Sequence, residues 1–264
     1  MTETNLTAEM AWTALEEGNA EGAMQMAIEL GPDDLDAALV LVHASLDLGD
    51  VELASSSLVR AHGLSDGDDA QLDLATGELA LATWDFDLAR SAFERILTAG
   101  DDPGTFDRLG LVLEHLGELD AADERRTRAH ELEPEGFPPV VRITEDAFDG
   151  VVEATLAGLP DGTRQALDNV RIVREPLPDI ELVPGDDPLS TPPDLIGIFI
   201  GANRLEQSDE GAEHPAVIHL FQRNIERIAR DEADALEQVR ITLLHEIGHF
   251  LGLDEDGVHE LGLG

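Results

Sequence analysis

Four short stretches of this 264-residue chain share one pattern: EEGNAEGAM (17–25), DLGDVELAS (47–55), ATWDFDLAR (82–90) and HLGELDAAD (115–123). Each sets a tight polar turn five residues before an alanine. The turn positions are Gly18, Gly49, Trp84 and Gly117, and the alanines are Ala23, Ala54, Ala89 and Ala122. A period of this length marks stacked helical hairpins, each burying its apolar face on the next. Glycine enters backbone conformations that other residues resist, and a small alanine lets two helices approach. Between the turns, apolar residues recur at helical spacing. Leu39, Val42, His43 and Leu46 make one expected core stripe, and Leu88, Ala92, Phe93 and Ile96 another.

The repeats end at ELEP (131–134), and Glu135-Gly-Phe-Pro-Pro139 breaks the helical pattern. Residues 1–134 are therefore expected to form an all-α helical-hairpin solenoid and residues 135–264 a second domain. That second domain reads as α+β. A helix is expected over 147–160, with Phe148, Val151, Val152, Leu156 and Leu159 on one side. Strands are expected at 169–174, 195–201 and 216–222. From Arg223 the spacing turns helical again, and Leu236, Val239, Leu243, Leu244, Ile247, Phe250 and Leu251 are expected to face a core.

The last helix carries His245-Glu-Ile-Gly-His249. Residues four apart share a helix face, so His245 and His249 can present nitrogens to one metal ion. Glu246 is rotated about a quarter turn from His245, placed to contact a metal-activated water without ligating. Zinc acidifies such a water, and a nearby carboxylate can take its proton. The chain has no cysteine, so any metal must be held by His, Asp or Glu. Gly252 suits a left-handed helix stop, after which a carboxylate three residues on, Glu255 in the acidic run 254–256, can return toward the histidines. Read as one pattern, this is HExxHxxGxxE from His245 to Glu255.

Composition narrows the partners. Sixteen basic residues, all Arg, stand against 57 acidic ones, for a formal charge of −41. Such a field repels phosphate backbones, so nucleic acid is not expected as a partner. No apolar run is long enough to span a membrane, and no basic region followed by an apolar stretch opens the chain, so a cytoplasmic location is expected.

The first half resembles tetratricopeptide repeats in its Gly-Asp/Asn-x-x-x-Ala turns and its closing Leu-x-Pro. This implies a groove for a peptide or protein partner, and the acidic charge favours a basic or neutral one. The second half resembles the bacterial minimal zincin-like metallopeptidases, whose motif is HExxHxxGxx followed by an acidic ligand. The likeness extends over LAGLPDG (156–162), Asn169-Val-Arg-Ile-Val173, LIGIFIG (195–201), PAVIHLFQRNIER (215–227) and HELG (259–262). It implies a Zn2+ site of His245, His249 and Glu255, with Glu246 as general base and later acid. Glu255 stands where that family more often has Asp; Asp254 and, further off, His259 are the alternatives.

The implied activity is zinc-dependent hydrolysis of peptide bonds, with the repeats recruiting the substrate. The competing readings are a repeat-based adaptor with a metal-stabilised, weakly active or inactive zincin fold, and a hydrolase of a non-peptide bond. With no Tyr in the chain, His214, His219, Arg223 or the metal would have to stabilise an oxyanion. The strand at 195–201 is expected to be a sheet edge that receives an extended peptide.

Overall fold

A computed structural model describes residues 7–67, 69–182, 191–202, 216–254 and 257. The chain divides into two compact units, Met1–Glu133 with Asp187–Pro192, and Pro134–Asp186 with Pro193–Gly264.

The first unit is built from four helical hairpins. They are α1 (Ala8–Glu16) with α2 (Ala20–Leu30), α3 (Leu35–Asp47) with α4 (Val51–Leu64), α5 (Ala70–Ala82) with α6 (Phe86–Ala99), and α7 (Pro103–His115) with α8 (Leu119–Leu132). Every turn expected from the repeat joins the two helices of one hairpin. Gly18, Gly49 and Gly117 have φ of 77°, 74° and 78°. Trp84 takes the equivalent place at φ 61°, the one positive-φ non-glycine among the described residues.

The following residue closes each turn by donating its N–H back across the helix end. Asn19 bonds Ala14, Asp50 bonds Ser45, Asp85 bonds Ala80 and Glu118 bonds Leu113, each at 2.8 Å. This is a Schellman closure, which satisfies carbonyls that a helix end leaves open. The same residue then starts the next helix. Asn19, Asp50 and Asp85 accept side-chain hydrogen bonds from the N–H groups of Gly22, Leu53 and Leu88, whereas Glu118 makes no such cap. One residue thus ends one helix and begins another, which is why the turn is so short.

Ala23, Ala54, Ala89 and Ala122 are fully buried where the helices meet. Gly77 of α5 sits directly against α6, where an added Cβ would lie 2.4 Å from Phe93 Cε1. Leu39, Val42 and His43 are buried as expected, and so are Ala92 and Phe93. Leu88 is not: it is 45% exposed in the first turn of α6, where no neighbouring helix covers it fully.

In the second unit, α9 (Glu145–Gly158) and the short α10 (Asp161–Ala166) precede a mixed three-stranded sheet. Its strands are β1 (Arg171–Glu175), β2 (Gly197–Ile200) and β3 (Val217–Phe221), in the order β1-β3-β2. β1 runs parallel to β3, and β2 antiparallel to it. Two helices follow, α11 (Gln222–Ile228) and α12 (Glu232–Phe250). The core gathers Phe148 from α9, Ile218 and Leu220 from β3, and Val239, Leu243, Ile247 and Phe250 from α12. Val151, Val152, Leu156, Leu159, Leu236 and Leu251 pack against it. Leu244, expected to face the core, is half-buried and stands outside this cluster.

One buried carboxylate ties the start of this unit to α11. Glu226 accepts from the N–H of Ile143 at 3.0 Å, from Gln222 Nε2 at 2.8 Å and from Arg142 at 3.1 Å. A buried charge is tolerated only when so paired and hydrogen-bonded.

Candidate metal centre

Helix α12 is capped by Asp231, whose side chain accepts from the N–H of Asp234. It then runs for 19 residues, long enough to carry a buried apolar back and a polar front past the sheet. Near its end the two histidines meet: Nε2 of His245 and Nε2 of His249 are 2.9 Å apart. The rings are nearly perpendicular, with an interplanar angle of 75°.

The helix stop explains that orientation. Gly252 has φ 93°, and the N–H groups of Gly252 and Leu253 donate to His249 O at 2.9 Å and Gly248 O at 3.1 Å. The reversal brings the Leu253 carbonyl under His249, where it lies 3.1 Å from Nδ1. A carbonyl can only accept, so the bond requires a proton on Nδ1. In the neutral ring Nε2 is then a lone pair, turned toward His245. Two ring nitrogens facing each other at this distance need a proton or a cation between them. A backbone carbonyl holding the far nitrogen of a histidine is also how metal-ligating imidazoles are fixed in tautomer and angle. The pair therefore fits a divalent metal such as zinc.

Glu246 is 6% exposed and turns toward the sheet rather than toward solvent. It faces Gly197 on β2, where an added Cβ would lie 2.6 Å from Thr242 Cγ2 and 3.2 Å from Glu246 Oε1. Gly197, Thr242, His245 and Glu246 share the wall of a cleft of ≈ 360 Å3 with the apolar side chains of Leu195, Ile196 and Ile241. Among the described residues β2 pairs only with β3, so the strand beside this cleft is a sheet edge.

The register decides which strand residues look at α12. Residues opposite each other across a sheet share a face, and neighbours along a strand alternate. Gly197 is opposite Leu220, which lies in the core with α12. His219 therefore points to the other face, where its Nδ1 pairs with Glu175 Oε2 at 2.7 Å. This corrects the expectation that His219 serves an oxyanion at the α12 site. Arg223 stands in the first turn of α11, its N–H donating to Pro176 O. His214, Glu255, Asp256 and His259 lie outside the described residues. Asp254 is exposed, and its Oδ1 accepts from the N–H of Gly257 at 2.9 Å. Among the described residues no third His, Asp or Glu completes a metal-binding group.

Helical spacing alone brings the residues of α12 to one face, but nothing local marks their neighbours across the cleft. A glycine inside a strand is a signal of close backbone approach. It does not say what approaches.

No helix of the described residues is long and apolar enough to cross a membrane. Several solved structures are similar to part of the chain, among them the following two. MamA of AMB-1 is 23% identical with a TM-score of 0.41, over 48% of this chain and 76% of that one. TTC0263, a thermophilic TPR protein of Thermus thermophilus, is 25% identical with a TM-score of 0.43, over 48% and 73%. No curated protein matches. The C-terminal region does match a family model, and residues 167–264 are similar to the Zincin-like metallopeptidase family.

Proposed function

We propose that this protein is a zinc-dependent peptidase whose metal is held by His245, His249 and Glu255, with residues 135–264 as the catalytic domain. The helical repeats of residues 1–134 recruit a protein or peptide substrate. The observation that carries the reading is the convergence of the two Nε2 atoms 2.9 Å apart, with the Glu246 carboxylate on the next residue lining the adjoining cleft.

Zinc, when bound there, supplies a Lewis acid that polarises a carbonyl and acidifies water. The remaining work belongs to the chain. The Glu246 carboxylate takes the proton from the water that attacks the scissile carbonyl carbon, and returns it to the leaving amine as the C–N bond breaks. Its burial against Gly197 holds it in one place and shields it from bulk water. The unpaired edge of β2 offers backbone N–H and C=O groups to an extended substrate, which would lay the scissile bond along the cleft. The leucine and isoleucine side chains there favour an apolar substrate residue beside the cut.

The test measures bound zinc by mass spectrometry and hydrolysis of a mixed peptide library. Wild type, Glu246→Gln, His249→Ala, Glu255→Ala and Asp254→Ala are compared. Near one zinc per chain in wild type and Glu246→Gln, with cleavage only in wild type, supports the peptidase. Zinc lost in Asp254→Ala but kept in Glu255→Ala would move the third ligand by one residue. Zinc bound with no cleavage of any peptide would leave a metal-stabilised adaptor. Absence of zinc from wild type, after loading and dialysis, overturns the reading.

A further inference from the structure

The first helix of each hairpin, α1, α3, α5 and α7, contributes to one cleft of ≈ 610 Å3 in the first unit. Its wall includes Trp12, Asp36, His43, Asp47, Glu78 and Arg108. Glu78 is central. Its Oε2 accepts from His43 Nδ1 at 2.7 Å and its Oε1 from Arg108 at 2.7 Å. Both oxygens are thus engaged, and the charge of Arg108 is neutralised by Glu78. Glu16, Asp36 and Asp47 remain, three exposed carboxylates of the wall, and its one arginine is already paired with Glu78.

His43 supplies a second, separate observation. It is 8% exposed, and Nε2 is buried without a hydrogen-bond partner. With Nδ1–H given to Glu78, Nε2 is a lone pair whenever the ring is neutral, an acceptor for a donor in the cleft. Buried polar atoms in native folds are nearly always satisfied, by protein, water or ligand, so Nε2 is an acceptor that an occupant of the cleft can use. The Trp12 ring lies 5.4 Å from the His43 ring and adds an aromatic wall. Acceptors, uncompensated acid and an aromatic face together specify a planar cation rich in N–H donors. A guanidinium has five donors, keeps its charge at any working pH and stacks on indole.

We propose that this cleft captures an arginine side chain of a partner peptide, through Glu16, Asp36, Asp47 and His43, with Trp12 against the guanidinium. The cleft draws on all four hairpins, more wall than one side chain can fill, so the occupant is a peptide and not a free amino acid. The inference rests on the recruiting role proposed for the repeats, and does not depend on the metal site.

The test follows Trp12 emission in the full chain carrying Trp84→Phe, which leaves Trp12 as the sole tryptophan. The probes are randomised ten-residue peptide pools with a fixed central arginine, citrulline or lysine, and N-acetylarginine amide. Calorimetry on the unaltered chain repeats the titrations. The arginine pool is expected to bind at least ten-fold more tightly than the citrulline pool and to weaken as salt rises. The triple variant Glu16→Gln/Asp36→Asn/Asp47→Asn, with its helical circular dichroism unchanged, is expected to lose that preference. Equal binding of arginine and citrulline pools would leave the repeats as recruiters but overturn the proposal. Binding of no pool at all overturns both. Equal binding of lysine overturns the guanidinium, and equal binding of N-acetylarginine amide overturns the peptide.

Discussion

Gly197 on β2 and Glu246 on α12 approach so closely that a Cβ on the glycine would stand 3.2 Å from the carboxylate oxygen and 2.6 Å from Thr242 Cγ2. The strand comes this near to the helix only because one residue has no side chain. Gly197→Ala is expected to push β2 from α12 and to cost about 1–3 kcal/mol, the usual range for overpacking. Thr242→Ala removes the nearer obstacle, so the double variant should recover part of the loss. Thermal unfolding of the two single variants and the double gives the coupling. Additive costs would show that the two residues do not compete for this space.

The next prediction concerns the helix stop. Gly252 at φ 93° places the carbonyl that holds His249 Nδ1. Gly252→Val disfavours that backbone and moves the Leu253 carbonyl, freeing the imidazole to rotate. Loss of such an outer partner typically weakens metal affinity about 10–100-fold. Competition with a zinc chelator reads this directly, and far-ultraviolet circular dichroism checks that α12 is kept. Undiminished affinity would mean that His249 is oriented by something other than this carbonyl.

The repeat turns allow a purely conformational test. An added Cβ at Gly49 meets nothing within 4 Å, yet φ is 74°. Gly49→Ala should therefore cost about 1–2 kcal/mol through backbone strain alone. Gly77→Ala is the opposite case: its helical backbone accepts alanine, but Phe93 Cε1 would sit 2.4 Å from the new methyl. Reducing Phe93 to leucine should rescue Gly77→Ala and leave Gly49→Ala unaffected. Denaturant unfolding of the variants separates strain from clash.

These cases show what is written locally. A turn that demands positive φ stamps glycine on the sequence, and the fixed distance to the buried alanine locates even Trp84, which lacks that stamp. The histidines of α12 are legible for the same reason, since helical spacing alone puts them on one face. His219 escapes such a reading because the face a strand residue takes depends on register, and register is set by residues far away in the chain. The partnership of Gly197 with Glu246 is hidden likewise, since the two stand on elements distant in sequence. The period of α6 places Leu88 in the core, but a period says only that a helix face is apolar, not how far the next helix extends over it.

Acid titration of the repeat cleft should separate two carboxylates with opposite contributions. Burial raises the Glu78 carboxyl, but the hydrogen bond from His43 and the nearby Arg108 outweigh it and hold it below the ordinary value. A depressed folded value adds stability that is present above the unfolded value and is lost as pH falls through the folded one. Asp47 runs the other way: burial, then repulsion from Glu78, raise it, only partly offset by His43. A raised folded value favours folding only at low pH, and that contribution disappears as pH rises through it. Glu78→Gln is therefore expected to destabilise the protein at neutral pH, with the deficit shrinking between about pH 5 and pH 3. Asp47→Asn should instead raise the melting temperature at neutral pH, and that gain should fade over the same acid range. Thermal melts of both variants and wild type from about pH 3 to pH 7, about one unit apart, give the two curves. A deficit in Glu78→Gln that does not change with pH would show that Glu78 acts by packing and not through its charge.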